Sequence, residues 1–474
     1  MPFTHAIFLF YFLPLALIVM RVSTLGKAGV FSNRARLALF GLTILFYGCK
    51  NPWWLAPFFL CIGFDFTWAS LLKRAQSPGW RKCWVSLSVI QNLSLLAIFK
   101  YWSVLPVVFG QRYGGAFVSV MSGNGWLVLP PGISFYTFES LSFVIDVYRK
   151  DVDPPTSPLE FFAFIGMFPR FIAGPIVRYK EMRGQFEKYR GMDLQSGLFL
   201  FLIGLFLKCA FADSFGLFTH YAFGRPEGVE WLSAWVGSIS YAMQIYFDFS
   251  GYSLMAIGLG RCLGFQFPSN FNKPYTAWSI TEFWHRWHMT LSRWLRDYLY
   301  IPLGGSRHGK LRTYLNLFLT MLIGGVWHGA GLTFVVWGAW HGALLCLERA
   351  TGLDSKLPRA LGRLYTFLVV LIGWVFFKAQ SFTEAFMVLR AMSWPHAHWL
   401  DFNPEALRIF PLASAFCLMG LIYAFIIEPR IDLAALEKIE VVSLQQQMAA
   451  MACFVISLLF AFSSLTIPFL YFQF

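Results

Sequence analysis

The 474-residue sequence has few charged residues for its length. Charged side chains make up 13% of it, against 57% hydrophobic and 19% aromatic residues, and the mean hydropathy is +0.57. Soluble domains carry about 25% charged residues, so the composition excludes an ordinary soluble globular protein. It is typical of a polytopic α-helical membrane protein. We find no separate soluble domain, internal repeat or low-complexity linker.

Paired cysteines are missing, and acidic residues are scarce. The eight cysteines are scattered singly, without a CxxC pair, which favours unpaired thiols over disulfides or a zinc site. Lys and Arg number 38 against 24 Asp and Glu, a net charge of +14. The basic residues form short clusters between apolar runs, so they fit cytoplasmic loops rather than a nucleic-acid interface.

The basic loops at 21–36, 73–82 and 149–150 set the predicted orientation, because such loops stay in the cytoplasm. The rule gives about 11–12 spans, with both termini on the opposite side. The first run is taken as a span because it lacks a basic region before it and a cleavage site after it. The predicted spans are 6–20, 37–49, 53–72, 84–105, 129–148, 194–222, 231–259, 315–327, 332–347, 364–377, 409–427 and 448–470.

One apolar run, 161–176, is interrupted by Pro169 and by Gly174-Pro175. Irregular backbone at membrane depth has to be buried in protein or line a cavity. We therefore predict a re-entrant or interfacial segment here. We treat the whole chain as a single integral-membrane domain, with N-terminal helices at 1–128, a core at 129–350 and C-terminal helices at 351–474.

Ionisable side chains are concentrated between residues 246 and 342. Such groups are costly at membrane depth and are read as functional by default. Five of the nine histidines fall here: His285, His288, His308, His328 and His341.

Residues 279–300 are long enough for a helix of about six turns. Its aromatic-rich face predicts a position at the membrane interface, and a surface anchor without chemistry is the simplest interpretation. His288 lies beside this face and is expected to point inward. His285 and His288 lack further ligands at metal-binding spacing, so no metal site is predicted. The face consists of Trp284, Trp287, Leu291, Trp294, Leu295 and Tyr298.

Two Trp-His-Gly triplets, beginning at Trp327 and Trp340, hold the other pair of histidines. On one straight helix His328 and His341 would be about 20 Å apart, but Gly329-Ala330-Gly331 predicts a hairpin between them. This places His328 deep in the protein, toward the non-cytoplasmic side, where it suits a general base for an incoming hydroxyl. A buried imidazole bonded to the turn is an equal alternative, and for His341 the structural role is favoured.

Other polar residues of the block have less specific signals. Asp248 is an intramembrane carboxylate that can orient a histidine or pair with an arginine, and structural pairing is the favoured role. Asn270 and Asn272 precede Pro274 in a polar loop. They either donate to a substrate carbonyl or cap a turn.

Several long motifs carry a family resemblance. YFDFSGYSLMAIGLG, NFNKPY, SITEFWHRWHMTLSRWLRDYLYIPLGG and GGVWHGAGLTFVVWGAWHG resemble the membrane-bound O-acyltransferase family, in particular its bacterial polysaccharide-modifying branch. FPRFIAGPIVRY and PPGISFYTFESLSFVIDVYR are also similar. The likeness covers most of residues 130–349 and, more loosely, both ends.

The resemblance implies an all-α fold of membrane helices around a tunnel, in a bacterial inner membrane. It implies that His328 matches the family's essential histidine and that His288 matches its second recurrent polar position. It also implies transfer of an acyl group from a cytoplasmic thioester toward a periplasmic hydroxyl. The orientation derived from charge agrees, and both termini would then be periplasmic.

From these points we expect O-acetylation of an exopolysaccharide, alginate or cellulose, directly or through a periplasmic acetyltransferase partner. Acetyl-CoA is the expected donor, with no bound cofactor. His288 or Asn272 would polarise the thioester carbonyl, and Asp248, His285, His341 and Trp327 would line the tunnel. The candidate phosphate ligands are Arg286, Arg293, Arg296, Arg307 and Lys310.

Two alternatives remain open at this level. A carrier-protein thioester can replace CoA, as in the D-alanylating branch of the family, since a basic cytoplasmic mouth suits an acidic carrier too. A transporter for the polysaccharide or a lipid intermediate also fits many spans with intramembrane charges.

Overall fold

The structure is a computed structural model that describes residues 2–25, 29–102, 129–172, 174–224, 226–395, 411–431, 439, 441–462, 467 and 469–470. Within these residues the regular structure is helical, apart from an isolated bridge between Gly29 and Tyr189. The predicted all-α class is confirmed. The chain divides into two compact units, Met1–Phe201 with Met255–Pro268, and Leu202–Leu254 with Ser269–Phe474.

The helices up to residue 187 belong to the first unit. A π-helix, Phe8–Phe12, and a 3-10 helix, Pro52–Trp54, lead directly into two of them. They are α1 (Leu13–Thr24), α2 (Asn33–Gly48), α3 (Leu55–Arg74), α4 (Pro78–Tyr101), α5 (Ile133–Arg149), α6 (Pro158–Ile165) and α7 (Tyr179–Glu187).

The remaining helices follow from residue 194. Short π-helical stretches join the first two of them at Leu207–Ala212 and extend others at Arg296–Tyr300 and Tyr423–Ile427. The helices are α8 (Leu194–Phe206), α9 (Asp213–Phe223), α10 (Trp231–Cys262), α11 (Ile280–Arg286), α12 (Met289–Leu295), α13 (Gly309–His328), α14 (Leu332–Thr351), α15 (Leu353–Lys356), α16 (Arg359–Lys378), α17 (Phe382–Ser393), α18 (Pro411–Ile422) and α19 (Leu444–Ala461).

Six helical stretches among the described residues are long and apolar enough to cross a bilayer. Each overlaps a predicted span, so the prediction of a multi-pass membrane protein is confirmed. The stretches are Pro52–Arg74, Pro78–Tyr101, Leu194–Phe223, Arg359–Lys378, Pro411–Arg430 and Leu444–Ala461.

The broken apolar segment of the first unit is held by a buried ion pair. Helix α6 ends at Ile165, and the described chain beyond it runs in turns until α7 begins at Tyr179. Arg170, 1% exposed, pairs with Glu139 of α5, and Glu139 also accepts the backbone N–H of Val177 at 3.0 Å. The predicted irregular segment is thus buried in protein, as membrane depth requires.

Residues 279–300 do not form the single helix that we predicted. The segment breaks between α11 and α12, where His288 adopts a left-handed backbone conformation with φ of 42°. The aromatic face is buried in the protein, whereas we predicted that it would lie at the membrane interface as a surface anchor. The three- and four-residue spacing therefore indicates one buried face, but it does not indicate the break between the two helices.

Helices α13 and α14 form the predicted hairpin, with the helices interrupted between His328 and Leu332. Glycines let their backbones approach closely, as in other membrane helix pairs. A Cβ atom added at Gly338 would lie 2.5 Å from the carbonyl oxygen of Met321, and one at Gly342 would lie 3.1 Å from Cα of Phe318. This close packing fixes the position of His328 against α14.

Candidate active site

His288 is held in the break between α11 and α12, where it is 1% exposed. Its Nδ1 lies 3.0 Å from Oδ1 of Asn270. The same oxygen accepts hydrogen bonds from the backbone N–H of Thr290 at 3.3 Å and from the Thr290 hydroxyl at 2.9 Å. Asn270 Nδ2 donates to Ser253 Oγ on α10 at 3.2 Å. These bonds anchor the polar loop to both neighbouring helices.

The surroundings of His288 keep its imidazole neutral. Burial lowers its pKa from 6.5 to about 3. The ring of Phe249 stands edge-on to it, with centroids 4.7 Å apart. Among the described residues, Nε2 has no hydrogen-bond partner.

His328, the last residue of α13, is 5% exposed and lies in an aromatic pocket. The ring centroids of Trp327, Trp337 and Phe377 lie 4.8, 5.0 and 5.1 Å from its own. The hairpin supplies the two tryptophans and α16 supplies Phe377. A buried imidazole with such walls is shielded from bulk water, as a catalytic base in a tunnel requires.

His341 also packs against Trp337, at 5.1 Å between ring centroids, and contacts Trp284 at 5.2 Å. It is fully buried, and neither ring nitrogen has a hydrogen-bond partner among the described residues. The indole N–H groups of Trp284 and Trp337 likewise lack partners there. Polar groups that could meet a substrate atom therefore surround Trp337.

Tryptophan rings connect the two histidine sites. Trp287, adjacent to His288, contacts Trp374 at 4.9 Å, and Trp374 contacts Trp337 at 6.0 Å. Trp337 in turn contacts His328. His288 and His328 thus belong to one aromatic cluster in the second unit.

The structure places Asn272 and His285 away from this cluster. Both are exposed. Asn272 contributes its backbone N–H to the Arg286 carbonyl at 2.9 Å. Asn270, two residues earlier, occupies the interior position that we assigned to Asn272. The sequence alone does not distinguish them, because each is a loop asparagine next to Phe271.

Asp248 forms an ion pair with a lysine rather than an arginine or histidine. Lys208 Nζ lies 2.8 Å from Asp248 Oδ1, bonds Asp213 and donates to the Ile467 carbonyl at 2.9 Å. Asp248 Oδ2 accepts the backbone N–H of Leu470 at 2.8 Å. We missed Lys208, although a lysine inside the apolar run 194–222 was a signal that could have revealed it.

Arg286 lines a cavity of about 500 Å³ together with Lys273 and Arg363. Its guanidinium pairs with Glu282 and donates to Thr276 Oγ1 at 2.7 Å. The sequence did not indicate Lys273 and Arg363, because they lie on separate segments. Three cationic side chains therefore line one cavity.

The other predicted phosphate ligands lie outside this cavity. Arg296 pairs with Asp297, Arg293 is half-buried, and Arg307 and Lys310 are exposed. The described residues contain no group of three His, Cys, Asp or Glu side chains that could hold a metal ion.

Comparison with known proteins places the chain in a family. The model of the membrane-bound O-acyltransferase family matches residues 74–389. The chain belongs to this family. It is therefore an acyltransferase of the membrane, as the sequence resemblance implied, and the two histidine sites lie inside the matched region.

Two of three curated relatives match most of the acyltransferase. The Probable alginate O-acetylase AlgI of Pseudomonas aeruginosa is 39% identical over 440 residues, covering 89% of this chain and 81% of the relative. The peptidoglycan O-acetyltransferase of Helicobacter pylori is 35% identical, covering 82% and 79%. The teichoic acid D-alanyltransferase of Bacillus subtilis is 32% identical over a shorter stretch, 42% and 53%.

Proposed function

We propose that this acyltransferase O-acetylates a polysaccharide at the bacterial inner membrane. The observation that carries the proposal is the similarity to the Pseudomonas aeruginosa relative over 81% of that protein's length. The Helicobacter pylori relative is named as a peptidoglycan O-acetyltransferase. Together they favour acetyl as the transferred group, and alginate or cellulose is the exopolysaccharide that we propose as the final acceptor.

In the proposed reaction, His328 is the general base. A hydroxyl oxygen of the acceptor attacks the thioester carbonyl while His328 takes the hydroxyl proton. The carbon–sulfur bond then breaks, and the proton passes to the departing thiolate, giving an acetyl ester and a free thiol. The ring of Trp337 lies 5.0 Å from that of His328, and its indole N–H, which has no hydrogen-bond partner in the described part of the chain, is the proposed donor to the oxyanion.

The proposed donor is cytoplasmic acetyl-CoA. Its phosphates would bind in the cavity that Lys273, Arg286 and Arg363 line, with the apolar rings of Phe367 and Phe425 beside them. The pantetheine arm would lead the acetyl group inward past Tyr275, which lines the cavity and contacts Trp287 at 6.1 Å between centroids. Arg293, Arg296, Arg307 and Lys310 would add positive potential at the mouth.

The proposed acceptor side faces the periplasm. The hydroxyl acetylated by the enzyme belongs either to the polysaccharide or to a periplasmic acetyltransferase partner that completes the transfer. The protein would be surrounded by the lipid bilayer, and it has no nucleic-acid ligand in this scheme.

The proposal is tested with purified enzyme in nanodiscs, radiolabelled acetyl-CoA and added periplasmic partner. We expect thioester hydrolysis or transfer by the wild type and a loss of about 10²–10⁴-fold in His328→Ala. His308→Ala, at an exposed loop position, is the matched control and should behave as wild type. Normal acetyl transfer by His328→Ala at equal expression would overturn the assignment of the base.

A carrier-protein thioester is the second candidate donor. The similarity to the Bacillus subtilis D-alanyltransferase favours it, although that similarity covers 42% of the chain. Turnover with an acyl carrier protein but not with acetyl-CoA would select this donor. Movement of polysaccharide without covalent label would instead support transport.

A further inference from the structure

The hydrogen bonds of Asn270 determine which nitrogen of His288 carries the proton. The backbone N–H of Thr290 can only donate, so the atom of Asn270 that faces it is the carboxamide oxygen. That same oxygen lies 3.0 Å from His288 Nδ1. Because an oxygen acceptor needs a donor, Nδ1 bears the hydrogen.

The tautomer leaves Nε2 as a bare lone pair. A neutral imidazole has a single N–H, and the His288 ring is neutral because burial keeps its pKa near 3. Nε2 is buried and has no hydrogen-bond partner among the described residues. A buried polar atom without a hydrogen-bond partner destabilises the fold, and a purely structural side chain would avoid this cost.

The backbone at His288 adds a second, independent cost. Its φ of 42° is a left-handed conformation that is unfavourable for residues other than glycine. Strain of this kind is concentrated at functional sites. The left-handed backbone at His288 separates α11 from α12 and directs the imidazole toward Asn270. The backbone conformation and the hydrogen bond therefore fix the same orientation of the ring.

Burial is the only resolved cause of the lowered pKa of His288, with no contribution from a charged side chain of the described residues. From α10 the ring meets Phe249, whose titratable neighbours are Asp248, bound to Lys208, and Tyr252, which stacks on Phe469. From α11, Arg286 is paired with Glu282. From the loop and α12 the ring meets the neutral Asn270 and Thr290.

We propose that Asn270 is a positioning residue that fixes His288 as the Nδ1–H tautomer, so that Nε2 accepts a hydrogen bond from a hydroxyl or amide N–H group of a substrate. The inference rests on the proposed acyl transfer for its kinetic consequences. It revises the role expected for His288, because a bare Nε2 cannot donate to a carbonyl. It assigns oxyanion stabilisation elsewhere and leaves proton abstraction to His328.

Asn270→Asp gives the decisive kinetic test. Aspartate keeps the oxygen toward Nδ1 and Thr290, but its charge favours imidazolium and raises the pKa of His288 by about 1–3 pH units. Protonated Nε2 cannot accept a hydrogen bond. We expect the part of the acid limb that reports protonation of His288 to lie about 1–3 pH units higher in the variant than in the wild type.

Asn270→Leu removes the acceptor without adding charge. We expect a loss of about 10–100-fold, the size seen when the partner of a functional histidine is deleted. If the KM for acetyl-CoA rises, the group that donates a hydrogen bond to Nε2 belongs to acetyl-CoA. If the KM for the hydroxyl substrate rises, that group belongs to the hydroxyl substrate. The control for Asn270→Asp is Gln445→Glu, which adds a negative charge at an exposed position of α19 and should leave the pH–rate profile unchanged.

A measurement of the tautomer separates this inference from the proposed function. In ¹⁵N-histidine-labelled protein, the resonances absent from His288→Asn identify His288, and we expect a protonated Nδ1 with a bare Nε2. A protonated Nε2 in the wild type would overturn the inference. So would a pH profile in Asn270→Asp that keeps the wild-type shape at lower amplitude. The spectrum does not depend on which thioester the enzyme uses.

Discussion

Single residues of this acyltransferase combine burial with unmet polar groups. His288, His341 and Trp337 lie in the interior and still present nitrogen atoms without hydrogen-bond partners among the described residues. Such groups destabilise a fold unless a ligand meets them. These three residues belong to one aromatic cluster, which supports the proposed site at this scale.

His288 should make the protein sensitive to acid. Its folded pKa, about 3, lies below the ordinary value of 6.5, so at lower pH the unfolded chain binds a proton that the folded chain refuses. The contribution of neutral His288 to the free energy of unfolding is complete above pH 6.5 and is lost as the pH falls toward 3. Between pH 7 and 5 we expect the wild type to lose about 2 kcal/mol of unfolding free energy through His288, a loss that His288→Asn should not show.

Thermal unfolding in detergent, followed by tryptophan fluorescence, tests this expectation. The wild-type midpoint should fall more steeply between pH 7 and 5 than that of His288→Asn. Asparagine is chosen because it tolerates the left-handed backbone. Parallel pH curves for the two proteins would contradict a buried neutral His288.

At the scale of elements, two devices hold irregular or crowded segments in place. The Glu139–Arg170 ion pair fixes the turns between α6 and α7. Glycines at 325, 338 and 342 let α13 and α14 approach closely. The ion pair and the glycines each fix a backbone segment whose position the pattern of apolar residues does not predict.

Removal of one partner of the buried pair should be severe. Glu139→Gln removes the carboxylate that pairs with the buried Arg170, and we expect a loss of about 3–5 kcal/mol in the free energy of unfolding. The exposed pair Arg183–Glu187 is the matched control, because Glu187→Gln should cost less than about 1 kcal/mol. Comparable thermal midpoints for Glu139→Gln and Glu187→Gln would show that the buried pair does not hold the segment.

Gly338→Ala should separate the hairpin helices and impair catalysis. The added Cβ would lie 2.5 Å from the Met321 carbonyl oxygen, so α14 has to shift and carries Trp337 away from His328. We expect turnover to fall by about 10²-fold, as for misplacement by about 1 Å. Gly331→Ala, whose Cβ would lie 3.5 Å from its nearest neighbours, should remain active. Equal rates for the two variants would refute the packing argument.

The sequence predicted the elements better than their internal breaks. The hairpin between His328 and Leu332 followed from Gly329-Ala330-Gly331, and the irregular segment around Arg170 followed from its prolines and glycine. The break at His288 had no comparable signal, since the aromatic spacing continues across it. The choice of Asn270 over Asn272 depends on loop conformation, which a local sequence pattern does not encode.

For the whole molecule, charge distribution remains the basis of orientation. The basic loops predict that residue 308 faces the cytoplasm and residue 330 the periplasm. The α13–α14 hairpin is consistent with opposite ends, because each helix has 20 residues, about 30 Å of rise.

Cysteine accessibility tests the orientation. In a background with exposed Cys49 and Cys83 replaced by serine, a membrane-impermeant maleimide should label Ala330→Cys in intact spheroplasts and His308→Cys only after the membrane is opened. The reverse labelling pattern would invert the proposed path of the acyl group.

Lys208 and Asp248 bind the backbone of Ile467 and Leu470, which are synthesised much later. Leu470 follows Asp248 by 222 residues and Ile467 follows Lys208 by 259, so the ribosome delivers these backbone partners long after the charged side chains have entered the membrane. Until then one ammonium and two carboxylates share an incomplete set of bonds in a costly environment. A nascent chain that stops short of Ile467 would retain this defect, and membrane quality-control proteases would have a physical basis for distinguishing it from the finished enzyme.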